Sequence, residues 1–164
     1  MKKLQISFLS MLTVFILVSA VAAVAEKVEA RFPAQVTEML LESRKSVKTI
    51  DMDSFRKIAD NPPGVIIVDV RESKSFTEGH VPGSINIPRG VIELEIWKYV
   101  DFPDKTNYNK KMYLYCETSA RGIMATKRLQ ELGFTDVTAV LMKLKDWKKA
   151  EYPLVKLNGH SSKK

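Results

Sequence analysis

The sequence predicts an α/β fold, in which an open parallel sheet carries helices on both faces. Short apolar runs such as Val65-Ile66-Ile67-Val68 are rich in β-branched residues, which is typical of strands covered on both sides. Segments with helical spacing of apolar residues alternate with these runs. Turn-forming clusters such as Pro62-Pro63-Gly64 separate one element from the next.

Two helices are predicted before the first strand. The first begins near Pro33, a residue suited to the first turn of a helix, and ends at about Ser43. We expect this helix to dock on the domain through one face, which consists of Val36, Met39, Leu40 and Ser43. The second begins after Asp51, its predicted N-cap, and its apolar face consists of Met52, Phe55, Ile58 and Ala59.

The remaining elements alternate between strand and helix. Strands are predicted at residues 65–68, 84–88, 112–115 and 137–141. The spacing of apolar residues indicates helices at residues 73–78, 91–100 and 123–132, the first of them capped by Ser73. Gly133 is expected to end the last helix in a left-handed conformation, with Phe134 as the apolar residue after it.

The chain divides by composition into four segments. Residues 1–25 combine a positive start, a long apolar run and the sequence Ala23-Val24-Ala25, as in a secretory signal peptide cleaved after Ala25. An uncleaved membrane anchor is the alternative, because the run is about long enough to span a bilayer. A lead-in helix (26–46), a folded domain (47–156) and a polar tail (157–164) follow. The short positive start looks bacterial, so we expect a periplasmic protein.

The charge pattern and the cysteine count exclude several classes of function. The net charge is +7 over 164 residues, but no continuous basic stripe or aromatic platform is evident, so nucleic-acid binding is not expected. Stable membrane association is expected only if the signal peptide is retained. The single cysteine excludes a disulfide or a multi-cysteine zinc site within this chain, and we expect neither a metal nor a cofactor.

The most informative stretch is the loop Cys116-Glu117-Thr118-Ser119-Ala120-Arg121-Gly122. It lies between a predicted buried strand and a predicted helix, where open α/β sheets bind their ligands. Backbone N–H groups at such a helix N-terminus form an anion cradle and favour a thiolate over a thiol. Arg121 adds a permanent positive charge. On spacing alone, however, Cys116 could equally be an inert core residue.

Several blocks of sequence, taken together, resemble the rhodanese-like domain family. They are Val68-Asp69-Val70-Arg71-Glu72, the stretch from Gly79 to Pro88, Tyr115-Cys116 with Arg121, and Trp147 followed by Tyr152-Pro153. Each block is weak alone, but their order along the chain is that of a complete domain. The resemblance implies a rhodanese-like open parallel sheet and a sulfurtransferase in which Cys116 accepts a sulfane sulfur as a persulfide.

The resemblance also implies roles for individual residues. Cys116 is the catalytic residue. The residues that hold the substrate are Glu117, Thr118, Ser119, Ala120, Arg121 and Gly122. Structural support comes from Asp69 and Arg71, which brace the sheet and its loops, and from His80, which satisfies groups in its own turn.

The chain departs from the family pattern at two places. Ser119 stands where the family often has glycine, and a positive φ there would cost about 1 kcal/mol. The stretch Met142-Lys143-Leu144-Lys145 replaces a Gly-Gly pair before Trp147. The second change is expected to affect the segment leading to Trp147 without touching the thiol.

The resemblance favours sulfur transfer over phosphatase or arsenate reductase activity. Cys116 to Arg121 spans six residues, whereas the related loops of those enzymes are one residue longer and fit a tetrahedral oxyanion. The expected partner is a small sulfur compound or a protein persulfide, with a thiol or another nucleophile as acceptor. A non-catalytic binding or sensing module is the alternative. The charge of Glu117 predicts that dianionic thiosulfate is a poorer donor than a persulfide or polysulfide.

Overall fold

The chain forms a parallel five-stranded sheet. The computed structural model describes residues 32–62 and 64–157, so the predicted signal peptide and the polar tail beyond Leu157 lie outside the described residues. The strands are β1 (Lys48–Asp51), β2 (Ile66–Asp69), β3 (Ile85–Asn86), β4 (Met112–Tyr115) and β5 (Val137–Leu141). They lie in the order β1-β5-β4-β2-β3, and every pairing is parallel.

Helices precede, connect and follow these strands. They are α1 (Ala34–Ser46), α2 (Met52–Asp60), α3 (Ser73–Glu78), α4 (Ile92–Glu95), α5 (Ala120–Glu131) and α6 (Leu144–Lys149). Two short 3-10 helices, Arg89–Val91 and Ile96–Tyr99, flank α4.

Alternating side chains of the strands divide the core into two layers. The first layer includes Val68, Leu114, Val137, Ala125 and Leu129. The second includes Ile67, Tyr115, Phe55, Leu144 and Trp147. The helix α5 therefore covers one face of the sheet, and α2 and α6 cover the other. Full burial of a side chain such as Phe55 contributes about 2 kcal/mol to stability. The predicted α/β fold, with helices on both faces of a parallel sheet, is confirmed.

The central strand β4 positions the loop that follows it. It pairs with β2 on one side and with β5 on the other, so that Leu114 lies between Val68 and Ala139. Beyond the strands, the Val70 amide still donates to the Tyr115 carbonyl at 2.9 Å. The residues after β2 and those after β4 therefore meet at the carboxyl edge of the sheet, where such folds bind ligands.

The helix α1 docks on the domain as predicted, but through a narrower face. Leu40 packs against a small cluster that includes Val47, Ile123 and Ala139. Met39, which was predicted on the same face, is 45% exposed. Val36, Leu40 and Ser43 are partly buried along α1, at successive spacings of four and three residues, and Met39 lies to one side of that stripe.

Two predicted helix boundaries are confirmed in detail. The carboxylate of Asp51 accepts a hydrogen bond from the Ser54 amide at 2.8 Å, and this bond lowers the pKa of Asp51. Gly133 has φ +100°, and the Phe134 amide donates to the Leu129 carbonyl at 3.1 Å, as in a left-handed helix C-terminus. The predicted Ser73 cap is wrong, because Glu72 is the N-cap and Ser73 is the first helical residue.

Other boundaries differ from the prediction. The strand β1 was not predicted, because Lys-Thr-Ile-Asp at an exposed sheet edge has no apolar run. The helix α6 was also missed, since four of its six residues are charged. The predicted helix at 91–100 is instead a chain of short helical turns. The helix α5 starts at Ala120, three residues before the predicted start, because the cysteine loop is shorter than expected.

Candidate active site

Cys116 lies at the end of the central strand, directly after β4, and is only 1% exposed. The loop turns within three residues, and α5 begins at Ala120. This tight turn brings the N-terminus of a 12-residue helix next to the thiol. The backbone N–H groups and the positive end of the helix dipole at this terminus favour the binding of an anion.

Ser119 has the positive φ that its family position suggested, with φ +73° and ψ −34°. Its hydroxyl donates to the Met142 carbonyl at 3.0 Å, and its own carbonyl accepts from the Ile123 amide at 2.9 Å. The side chain that causes the strain therefore also makes a hydrogen bond that glycine could not make. A net hydrogen bond of about 1 kcal/mol offsets a strain of similar size.

Two substitutions at Ser119 separate these effects. Ser119→Ala keeps the strain and loses the bond to Met142, so the free energy of unfolding should fall by about 1 kcal/mol. Ser119→Gly loses the bond but relieves the strain, so its stability should stay close to that of the wild type. Urea unfolding of the three proteins measures both values. A glycine variant less stable than the alanine variant would contradict this account.

The stretch that replaces the family's Gly-Gly pair holds the loop in place. The Leu144 amide donates to the Glu117 carbonyl at 2.9 Å, and Met142 accepts the Ser119 hydroxyl as described above. Met142 and Leu144 are both buried. This second departure from the family therefore contacts the cysteine loop through Glu117 and Ser119.

Gly122 allows α5 to begin close to the sheet. A Cβ at this position would lie 3.0 Å from the carbonyl oxygen of Leu114 in β4, which is too close for a backbone neighbour. The role that the structure gives Gly122 is thus to permit the close approach of helix and strand, rather than to contact substrate with a side chain.

Asp69 and Arg71 form a buried ion pair beneath the loop. The Arg71 Nε lies 3.0 Å from both carboxylate oxygens of Asp69, and its Nη2 lies 2.6 Å from Oδ2. Nη2 also donates to the Gly79 carbonyl at 2.7 Å. Burial alone would lower the pKa of Arg71, but its hydrogen bond and charge interaction with Asp69 outweigh burial and raise it. The pair connects β2 to the turn before His80.

Charged side chains of opposite sign alternate around the loop. Arg71 Nη1 lies 3.5 Å from Glu117 Oε2, and the Glu117 side chain is 48% exposed. Arg121 Nη1 lies 3.9 Å from Glu72 Oε1 at the surface. The Glu117 carboxylate is therefore half exposed and partly neutralised by Arg71.

His80 is buried in the turn that follows α3. Its ring stacks on Phe76, with centroids 3.7 Å apart, and Nδ1 lies 2.9 Å from the Phe76 carbonyl. Its backbone pairs with Val155 in an isolated antiparallel bridge. These contacts suit the structural role that was expected for it.

Tyr115 is a supporting residue that the sequence analysis did not single out. Its hydroxyl accepts from the Val81 amide at 3.0 Å and shares a hydrogen bond of 3.1 Å with Ser84. Burial, with the nearby charge of Asp69, strongly raises its pKa, so the phenol stays neutral. The residue before the cysteine thus connects β4 to the turn at 80–84. In the sequence, its place directly before Cys116 is the signal that could have identified it.

Within residues 32–62 and 64–157, acidic, histidine and cysteine side chains form no group of three or more that could bind a metal ion. None of the helices in the same residues is long and apolar enough to cross a bilayer.

The fold and the site define a parallel α/β protein that presents one cysteine in a loop at the end of its central strand. A model of the Rhodanese-like domain family matches residues 51–150, within the domain predicted at 47–156. The chain therefore belongs to the rhodanese-like domain family, as its motifs indicated.

Known relatives agree with this assignment. The chain is 30% identical over 114 residues to a thiosulfate:glutathione sulfurtransferase of Saccharomyces cerevisiae. The aligned region covers 63% of this chain and 81% of the relative. It is 28% identical over 106 residues to a putative sulfur carrier protein of Bacillus subtilis, covering 65% of this chain and 54% of that protein. This chain thus spans about half the length of the Bacillus relative.

A solved structure supports the fold independently. A Rhodopseudomonas palustris protein of unknown function, described as a possible tyrosine phosphatase, matches with a TM-score of 0.63 and 25% identity, over 77% of this chain and 98% of that one. The comparisons with sulfurtransferases bear out the class of function predicted from sequence, and the phosphatase alternative is not better supported.

Proposed function

We propose that this protein is a rhodanese-type sulfurtransferase that carries a sulfane sulfur on Cys116 as a persulfide. One observation carries the proposal: the cysteine of a rhodanese-like chain lies at the end of the central strand, beside the N-terminus of α5. The loop residues 117–122 are proposed to hold the transferred sulfur, through backbone N–H groups and the charge of Arg121.

The reaction proceeds in two transfers. The Cys116 thiolate attacks the outer sulfur of a donor such as thiosulfate, the sulfur–sulfur bond of the donor breaks, and sulfite leaves with the electron pair. The outer sulfur of the persulfide is then attacked by an acceptor thiolate. Cys116 leaves as a thiolate and is ready for the next donor.

Small sulfur compounds or a protein persulfide are the proposed partners. The yeast relative is named for thiosulfate and glutathione, and the Bacillus relative for sulfur carriage. Both names support a donor with a sulfane sulfur and a thiol acceptor for this chain. The test is incubation with thiosulfate, polysulfide and an organic persulfide, followed by mass spectrometry. A persulfide adds about 32 Da. A binding module would show no covalent gain, and a phosphatase would instead hydrolyse an aryl phosphate.

Glu117 is proposed to disfavour a dianionic donor. Its charge is close to the nucleophile, but exposure and Arg71 weaken its effect. Glu117→Gln should therefore raise kcat/KM for thiosulfate only about threefold at low salt, and much less at high salt. The value for a less charged persulfide should change little. Steady-state kinetics with both donors measure these kcat/KM values. If kcat/KM for thiosulfate is unchanged at low salt, the donor preference must come from the shape of the pocket instead.

We further propose that the protein is exported, and that the mature chain begins at Glu26 in the bacterial periplasm. The support is the charged start, the apolar run and the Ala23-Val24-Ala25 boundary. Expression of the full chain in a bacterium, followed by fractionation and N-terminal sequencing, should yield a periplasmic protein starting at Glu26. Membrane-bound material that retains Met1 would favour the anchor instead.

A further inference from the structure

We infer that a cavity beside the cysteine loop binds an organic sulfur compound that has an apolar body and a carboxylate group. The inference rests on the proposed sulfurtransferase function and adds the chemical class of its thiol partner. The cavity has a volume of about 440 Å³, which is within the usual size of small-molecule sites.

The walls of the cavity are largely apolar. They include Leu40 and Leu41 of α1, Met52 of α2, Ile123 of α5 and Leu141 of β5. Such a surface gains free energy when a hydrocarbon chain covers it and removes it from water. A compact inorganic anion such as thiosulfate would leave these walls uncovered.

The charged groups on the walls are mainly positive. Arg44 and Lys143 line the cavity together with one acid, Asp146. Two cations and one carboxylate leave a net positive charge, which complements an anionic group at one end of an apolar molecule. A ligand with both features is therefore favoured over a neutral or cationic thiol.

The cavity adjoins the site of sulfur transfer. Thr118, Ser119 and Ala120, which follow Cys116 in the loop, form part of its wall. The outer sulfur of a persulfide lies about 2 Å beyond the cysteine sulfur. In the proposed arrangement, a thiol whose body occupies the cavity places its own sulfur beside the loop.

One wall comes from outside the family domain. The matched family region covers residues 51–150, whereas α1 is Ala34–Ser46. Leu40, Leu41 and Arg44 therefore add a surface that the domain alone does not provide. The selectivity inferred for the cavity therefore depends on a helix that lies outside the family domain.

The chemistry is balanced without a further reagent. The thiolate of the bound compound attacks the outer sulfur of the Cys116 persulfide, and a new sulfur–sulfur bond forms as the old one breaks. The electron pair of the broken bond stays on Cys116, and the product is an organic persulfide. In the reverse direction the same compound, as a persulfide, is a donor.

The test compares three acceptors after Cys116 has been loaded with sulfur. Mercaptohexanoate has an apolar chain and a carboxylate, mercaptohexanol has the chain alone, and cyanide has neither. The wild-type protein should prefer mercaptohexanoate to mercaptohexanol. In Arg44→Gln/Lys143→Gln, the ratio of their kcat/KM values should fall about fivefold. The charge-matched control is Lys45→Gln/Lys145→Gln, at adjacent positions that do not line the cavity, and its ratio should stay within about twofold.

A second pair of variants tests the apolar wall. Leu41 is 55% exposed, so Leu41→Ser should fold normally while lowering kcat/KM for both organic thiols about threefold relative to cyanide. Met39→Ser, on the same helix but outside this cavity, is the control. Using the persulfide of mercaptohexanoate as donor in the same variants shows whether the site also serves the reverse direction.

The outcomes are distinguishable. The cavity assignment would be overturned if the mercaptohexanoate-to-mercaptohexanol ratio of kcat/KM were the same in wild type and in Arg44→Gln/Lys143→Gln. It would also be overturned if the control variants lost as much as the cavity variants. In both cases the protein would still transfer sulfur to cyanide. Failure to transfer sulfur to cyanide at all would instead refute the proposed function. A wild-type protein that prefers mercaptohexanol would also overturn the inferred carboxylate.

Discussion

Replacing Cys116 with serine is expected to abolish sulfur loading, with no mass gain of about 32 Da from any donor. A serine hydroxyl is not ionised at neutral pH, so the nucleophile that attacks the donor is lost. Cys116 is buried at the end of β4 and serine is nearly the same size, so the fold should survive, with a loss of about 1–3 kcal/mol from burying the hydroxyl. Mass spectrometry and urea unfolding on the same preparation measure both properties.

A matched control for this experiment is Ser119→Ala, which changes the same loop without removing the thiol. That variant should still gain sulfur, because the backbone cradle and Cys116 remain. Sulfur loading retained in Cys116→Ser would mean that another group accepts the sulfur, and the assignment of the nucleophile would be wrong.

The second large effect is expected at the buried ion pair. Arg71→Met removes the partner of Asp69, which is fully buried, and leaves an uncompensated carboxylate in the core. Breaking a buried pair in this way costs about 3–5 kcal/mol of unfolding free energy. Urea or thermal unfolding should show a marked loss of stability. Sulfur loading should also fall, because Glu117 in the loop loses its contact with Arg71.

The double variant Asp69→Asn/Arg71→Met is the informative control. It removes both charges, so no unpaired ion remains buried, and it should be more stable than Arg71→Met alone. A double variant that is as unstable as the single one would show that packing and the bond to Gly79, rather than charge, account for the loss.

Elements with a strong local signal could be predicted from sequence. The strand at 137–141 has the predicted bounds, the strand at 112–115 likewise, and Gly133 ends α5 as its type indicates. These elements depend on local properties of the sequence, namely a run of apolar residues in each strand and the positive φ that glycine adopts easily. The family and the parallel fold followed from the same local motifs, taken in order.

Features that depend on distant partners could not be predicted. The strand β1 is a strand because it pairs with β5 at the sheet edge, from Lys48 opposite Thr138 to Asp51 opposite Leu141. Likewise, the local sequence around Ser119 does not predict its hydrogen bond to Met142, which is 23 residues away. The charge of Glu117 was visible in the sequence, but its partner Arg71 comes from another strand end.

The burial of Cys116 has a consequence for which of two sulfurs reacts. In a persulfide, an incoming thiolate can attack the outer sulfur, which transfers it, or the inner sulfur, which expels hydrosulfide and leaves a mixed disulfide. The inner atom belongs to a residue that is only 1% exposed, whereas the outer atom extends beyond it. If the protein works as proposed, the fold therefore biases the regiochemistry: a bulky thiol approaches the outer sulfur more readily than the buried inner one, which disfavours the mixed disulfide that would arrest turnover.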